Sequence, residues 1–592
     1  MKALIEDYAM IGDCETAALV SRDGSIDWLC FPRFDSAACF AALLGTPENG
    51  RWSICPKDDA ARISRRYRPD TLILETTFET NSGSAMLIDF MPPADGARDI
   101  VRIVVGTSGQ VDFNTDFVVR FDYGRTVPWV TRESDGTIRA IAGPHQLLLS
   151  SPVQFKGRDL HTTGSFSVKE GDRVPFVLTY GVAQEPLRAD ELLASTENYW
   201  REFVAQCPSV GRWTETVKRS LITLKAMTYR PTGGIVASVT TSLPEFIGGI
   251  RNWDYRFCWL RDATITLQAF MNLGYFEEAQ AWRDWLIRAI AGSPDQMQIM
   301  YGVTGERHLW EWDVPWLDGY ENSRPVRIGN AAAEQFQLDV YGEIADAMAQ
   351  AVKGGLAPHP RATALRDVVM PFLEQAWRKP DEGIWEVRGG RQQFTHSKVM
   401  AWVAFDRAAK QPELAPAVAE RWQRVADEIH ADVCRNAFDP ELGSFVQAYG
   451  SKTLDASLLH IPLVGFLPVD DERVLGTVKA IEKRLVHDGF VLRYRTEAVD
   501  DGLPPGEGVF LACSFWLADV YVLLRRYDEA HRLFDRLLGL QNDVGLLSEE
   551  YDPRENRMLG NFPQAFSHVG LINTALNLAR HEGPAEERAE DQ

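Results

Sequence analysis

The chain changes its pattern once, near residue 190, and that change limits what it can fold into. Before it, short runs such as "DTLILETTFET", "SAMLIDFMP" and "DRVPFVLTYGV" alternate apolar and polar residues and are separated by Gly, Asp and Asn turns. Such spacing predicts a large antiparallel β-sandwich. After it, about twelve segments repeat apolar residues at helical spacing, from "TETVKRSLITLKAMTY" to "SHVGLINTALNLARH". Some of these, such as "VFLACSFWLADVYVLL", are apolar nearly all round, whereas "AERWQRVADEIHAD" carries one apolar stripe. This alternation predicts an inner ring of helices wrapped by an outer ring.

At 592 residues the chain exceeds one ordinary core, in keeping with two or more domains. A net charge of -21 with no Lys/Arg cluster argues against nucleic acid and anionic membrane as partners, and favours a neutral or cationic ligand. No run reaches the apolar length of a membrane span, and "MKALIEDYAMIGDCETAALV" places acids where a signal peptide needs a basic start. The eight cysteines form no CxxC pair, so reduced thiols and no zinc site are expected, and the missing signal leads to the expectation of a cytoplasmic location.

The chemistry is concentrated between the helices, where long connections carry Trp, Tyr, Arg and acids. "NWDYRFCWLRDA" sets Tyr255 and Trp259 ahead of Arg261 and Asp262 at a helix start. Aromatic faces suit the C–H faces of a sugar ring, and an Arg/Asp pair can donate to and accept from adjacent hydroxyls. The bland alternative is a packed core with Asp262 as a helix cap. In "GIWEVRGG", Glu386 beside Trp385 fits a general acid whose proton is retained by desolvation against Trp385 and Val387, with Arg388 opposing. Glycoside cleavage needs a second carboxylate across the substrate; "LLSEEYDP" offers Glu549, Glu550 and Asp552, and "PGEGVF" offers Glu507.

At these loops the sequence resembles glycoside hydrolase family 15, the glucoamylases, glucodextranases and bacterial trehalases. "YRFCWLRDA", "SRPVRIGNAAAE", "GIWEVRGG", "FTHSKVMAW" and "SEEYDP" follow in family order, and the N-terminal "IEDYAMIGDCETAALVSRDGSIDWLCFPRFDS" resembles the opening of bacterial members. The resemblance implies a β-sandwich over 1–190, a linker helix over 191–212, an (α/α)6 barrel over 213–582 and a charged tail over 583–592. It implies Glu386 as general acid and Glu549 as general base. Tyr255, Trp259, Arg261 and Asp262 would surround the glucose that is cleaved off, beside Trp385. Arg324 and Arg493 would line the neighbouring subsite.

Two positions depart from the fungal starch-acting members, which follow the acid with a second Glu and carry a Trp two residues before the "RP" arginine. Here Val387 and Asn322 stand there, both where the leaving sugar would lie. The resemblance therefore implies an inverting, exo-acting α-glucoside hydrolase that releases β-glucose, with trehalose as first substrate and no metal or organic cofactor. A glucoamylase-like α-1,4/α-1,6-oligoglucosidase, a disaccharide phosphorylase and a non-catalytic sugar-binding protein are the alternatives. The sequence leaves oligomeric state open, a homo-oligomer included.

Overall fold

The computed structural model describes residues 3–93, 98–181, 189–357 and 359–579. The expected tail over 583–592 lies outside them. Fifteen strands, β1 to β15, lie between Tyr8 and Tyr180 and join in one antiparallel network. Its spine is β9 (Arg98–Val118), which serves two groups of strands. Residues 98–109 pair with β8 (Gly83–Phe90) and β15 (Arg173–Tyr180), and residues 110–118 pair with β5 (Arg51–Pro56) and β14 (His161–Lys169). Period-two patterning explains the second half: Val111, Phe113 and Thr115 turn inward while Gln110, Asp112 and Asn114 face outward. A single turn, α1 (Phe121–Gly124), follows β9, with Asp122 and Tyr123 in the left-handed region.

Helix α2 (Ala189–Val204) then connects to twelve more helices. In chain order these are α3 (Thr214–Ala226), α4 (Leu260–Asn272), α5 (Phe276–Ala289), α6 (Asp339–Lys353), α7 (Pro360–Ala376) and α8 (Thr395–Ala409). They continue with α9 (Pro416–Asn436), α10 (His460–Leu463), α11 (Glu472–Arg484), α12 (Leu511–Leu523), α13 (Tyr527–Leu538) and α14 (Ala565–Ala579). The even-numbered helices from α4 to α14 pack each on the next, and α14 packs back on α4, closing a ring. Odd-numbered partners lie outside: α5 packs on α4, α9 on α8 and α13 on α12. Residue patterns follow these positions. Helix α12 is buried on all sides, whereas α9 buries only Trp422, Val425, Ala426, Ile429 and Val433, one stripe at helical spacing.

The two parts are joined by a fully buried guanidinium. Arg256, in the loop before α4, binds Asp254 through two bonds of 2.9 and 2.6 Å. Its other N–H groups reach across to the strand domain, donating to the Ser36 carbonyl at 2.8 Å and the Tyr123 hydroxyl at 3.0 Å. Asp254 also accepts the Gly329 N–H at 3.1 Å. A second bridge runs from the Trp28 indole to the Val239 carbonyl at 2.8 Å. Among the described residues no helix is long and apolar enough to cross a membrane. All eight cysteines are unpaired.

Replacing Asp254 by Ala would leave the Arg256 charge buried without its carboxylate. A buried ion pair broken on one side costs about 3–5 kcal/mol. Chemical denaturation of Asp254→Ala should show a loss of that size, and an unchanged midpoint would mean that this pair does not hold the two parts together.

Candidate active site

The loops at one end of the helical ring bring distant carboxylates and aromatic rings around a pocket whose walls include Glu245, Tyr255, Trp385, Glu386, Arg388 and Arg493. Glu386 sits in a tight turn of Glu382–Val387 that precedes α8. Its φ of 59° lies in the left-handed region, which a non-glycine residue enters at a cost. The turn is fixed by the Glu386 N–H on the Gly383 carbonyl at 3.1 Å, and the carboxylate is held by the Trp259 indole N–H at 2.7 Å. Arg261 lies 3.7 Å from the same oxygen.

Burial raises the Glu386 carboxyl above its ordinary range, while Arg261 and the Trp259 N–H pull it down. The tryptophan against this acid is therefore Trp259, brought in from the α4 side. The neighbouring Trp385 turns its indole N–H onto both oxygens of Asp455 at 2.9 Å. Arg388 opposes protonation, as expected, but more weakly than Arg261.

Arg261 and Asp262 open α4. The guanidinium binds Asp262 at 2.9 Å and the Ile384 carbonyl at 2.6 Å, so the pair is braced against the Glu386 turn. Tyr255 packs edge-on to Trp259 with ring centres 5.0 Å apart.

Glu549 is 1% exposed and lies just before the short strand Glu550–Asp552. Its Oε2 accepts the Asn561 N–H at 3.1 Å, and Oε1 has no hydrogen-bond partner among the described residues. Burial and then the Glu245 charge push its carboxyl up to about 8, with Tyr255, Arg493 and the Asn561 N–H acting in the opposite direction. Glu550 is fully buried, accepts the Gly508 N–H at 2.8 Å, and is held well above the ordinary range by burial and then by Glu245.

Glu507 is committed to Arg493, which binds both of its oxygens. The same arginine donates to Glu245 at 3.0 Å and lies 3.7 Å from Glu550. The carboxylates of Glu245, Glu507 and Glu550 converge within 4.8 Å of one another, a spacing that could hold a cation. Nη2 of Arg493 contacts all three and already supplies the positive charge. These side chains thus need no metal to be paired.

Of the expected site residues, Tyr255, Trp259, Arg261, Asp262, Trp385, Glu386, Arg493 and Glu549 join one contact network. Arg324 lies apart. Its side chain is 60% exposed and pairs with Asp318, and it is absent from the pocket wall. Val387 lines the pocket and packs on Phe394 and Ala448, and Asn322 is exposed.

Sequence reasoning missed Glu245, Arg251 and Asp501. Glu245 receives the Trp253 indole N–H at 3.0 Å, and Arg251 binds Asp501 at 2.7 Å. "LPEFIGGIRNWD" contains no periodic signal that separates a buried acid from a solvated one.

Comparison with known proteins identifies the family. The sequence description of glycosyl hydrolases family 15 matches residues 211–576, and that of the trehalase-like N-terminal domain matches residues 2–200. A trehalase of Mycolicibacterium smegmatis is 38% identical over 98% of this chain and 92% of its own length. A trehalase of Thermoplasma volcanium is 36% identical over 97% of this chain and 93% of its own. The crystal structure of a bacterial glucoamylase complexed with acarbose shares the fold, with a TM-score of 0.73 at 13% identity, covering 100% of this chain and 97% of that one. The family match takes in every helix from α3 to α13 and each carboxylate of the pocket; the chain belongs to glycosyl hydrolases family 15 and is a glycoside hydrolase.

Proposed function

We propose that this chain is an inverting trehalase, cleaving the α-glucosidic bond of trehalose and releasing β-glucose. The observation that carries the reading is a pair of acids from separate loops, half-buried Glu386 on the pocket wall and buried Glu549 behind Tyr255 of that wall, both raised above the ordinary carboxylate range. The relatives named trehalase, 36–38% identical over nearly the whole chain, support the choice of substrate.

In this mechanism Glu386 is neutral and donates its proton to the glycosidic oxygen. Trp259 keeps the carboxyl aimed while Arg261 and Asp262 hold glucose hydroxyls. On the opposite face Glu549 takes a proton from water through Oε1, the oxygen with no hydrogen-bond partner among the described residues. Inversion needs about 6.5–9.5 Å between the two carboxyls to admit that water. Glu507 is bound up with Arg493, and Glu550 also lies against that arginine and accepts the Gly508 N–H, which favours Glu549 as base. A base of raised pKa is also the stronger acceptor once ionised. Arg493 and Arg388 face the leaving sugar; Arg324 is given no substrate contact.

The architecture belongs to the same reading: a β-sandwich over 1–190, a linker helix over 191–212 and an (α/α)6 barrel over 213–582. The ring from α4 to α14 and its outer partners support the barrel. A cytoplasmic location is supported by the eight unpaired cysteines.

Three outcomes follow from these assignments. Glu386→Gln and Glu549→Gln should each lower kcat on trehalose by about 10²–10⁴-fold, the usual worth of one positioned acid or base. Proton NMR during turnover should show β-glucose first; early α-glucose, or glucose 1-phosphate formed only with phosphate, would overturn the mechanism.

The second outcome concerns pH. Both limbs of the kcat/KM profile on trehalose should lie above pH 4.5, the ordinary glutamate value from which both acids are raised. An optimum below that value would reject the pair.

The third concerns stability. An acid raised on folding binds its proton more tightly in the folded state, so the stability it contributes is complete below pH 4.5 and is lost as pH rises towards about 8. Glu549→Gln should therefore flatten the fall of Tm between those values, and an unchanged slope would show that Glu549 is not the titrating group.

A further inference from the structure

Two free sheet edges meet in the strand domain without pairing. Strand β10 (Trp129–Arg132) ends the strand order of the network, and β13 (Phe155–Arg158) pairs only with β14. The Arg132 guanidinium donates to the Phe155 carbonyl, so the two edges stand close to one another. Between them lies a cleft whose buried floor includes Phe117, Val119 and Ile138. It shares no lining residue with the pocket of the acids.

The cations of this cleft are short of partners. Arg120, Arg132 and Arg158 line it against a single acid, Asp159, which Arg158 already binds at 3.2 Å. His161, on the same wall, engages Asp116 at 2.9 Å and Glu48 at 3.1 Å. Arg120 is 5% exposed, yet its guanidinium meets only carbonyl oxygens, that of Val119 at 2.8 Å and that of Leu160 at 3.4 Å. Among the described residues neither Arg120 nor Arg132 forms an ion pair. Burial works against the Arg120 charge, with Glu48 and Asp116 opposing. Other deeply enclosed arginines of this chain, Arg102, Arg256 and Arg407, each bind a carboxylate. An enclosed guanidinium without one is costly, and its fork matches an oxyanion.

The rim of the cleft is apolar. Leu160 is 69% exposed, and Val127 and Val130 are 46% exposed. Asp159 and Leu160 form the turn between β13 and β14 with φ of 50° and 63°. Glycine takes this conformation freely, whereas a leucine enters it at a cost. The turn thus keeps a strained, solvent-facing leucine beside the carbonyl that meets Arg120. Apolar groups gathered on one exposed cleft mark a binding surface.

We propose that this cleft binds a small amphipathic oxyanion, a carboxylate or phosphate ester with an apolar body. Its charged head lies at Arg120 and Arg132, and its body rests on Val127, Val130 and Leu160. The site is independent of what the other pocket cleaves.

Calorimetric titration of the full chain with phenyl phosphate, phenylacetate, inorganic phosphate and benzyl alcohol tests it. At least one of the first two should bind at one molecule per chain, and the tighter of them identifies the preferred head. That ligand should bind at least tenfold more tightly than inorganic phosphate, which lacks the body, and than benzyl alcohol, which lacks the charge. Arg120→Met with Arg132→Met should weaken it at least tenfold. Because Arg120 is enclosed, a second variant is needed that leaves the interior alone. Val130→Glu sets an acid on an exposed strand position; it should weaken binding to the same extent with an unchanged melting temperature, while the neutral Val130→Gln should bind nearly as the unsubstituted chain does. Absence of saturable binding, equal affinity for benzyl alcohol or inorganic phosphate, or binding that survives Val130→Glu would overturn the proposal. So would a chain that self-associates through Val130 and binds neither amphiphile.

Discussion

The architecture depends on one buried charge. Arg256 is enclosed at the junction of strand domain and helical ring, where its guanidinium has no water to solvate it. It persists because Asp254 supplies the counter-charge and Ser36 and Tyr123 complete its hydrogen bonds. Tyr255 lies between these two residues in the chain, so the bonds that join the domains also fix an aromatic wall of the pocket. Asp254 reaches in addition to Gly329, next to Asn330 of the pocket lining. The strand domain thus contributes to the site through the junction.

The pocket uses a different electrostatic balance. Glu245, Glu507, Glu549, Glu550 and Asp501 are buried together beside Arg251 and Arg493. Several uncompensated negative charges in a poorly solvated region would each cost several kcal/mol. The cluster meets that constraint by retaining protons, which is why Glu245, Glu549 and Glu550 are all raised. Proton affinity at the proposed base is therefore a property of the cluster, and Glu245 acts on it without lining up as a reacting group.

Much of the fold could be read from the sequence because burial imposes periodicity. The twelve segments from "TETVKRSLITLKAMTY" onward each form a helix, with "DASLLHIPLVGFL" reduced to a 3-10 turn and the short α10. Strands were legible for the same reason, although nothing in "DIVRIVVGTSGQVDFNTDFVVRF" shows that one long strand would serve two groups of partners. In the site, Arg261, Asp262 and Glu386 stood out through their motifs. Glu245 and Asp501 did not, because a buried carboxylate in an irregular loop has no period and is identified only by the arginine that the fold brings to it. The neighbour of Glu386 was misread for a related reason. Adjacency in sequence suggested Trp385, whereas the left-handed turn directs the carboxylate to Trp259.

That turn has an evolutionary consequence. Position 386 has a backbone conformation that glycine adopts freely and glutamate does not. A Gly at this position would relieve the strain and remove the acid, so local folding energetics favour losing the proposed catalyst. Descendants of this chain under no selection for turnover would drift toward a sturdier, inert form, and retention of Glu386 measures how strongly the reaction itself is selected.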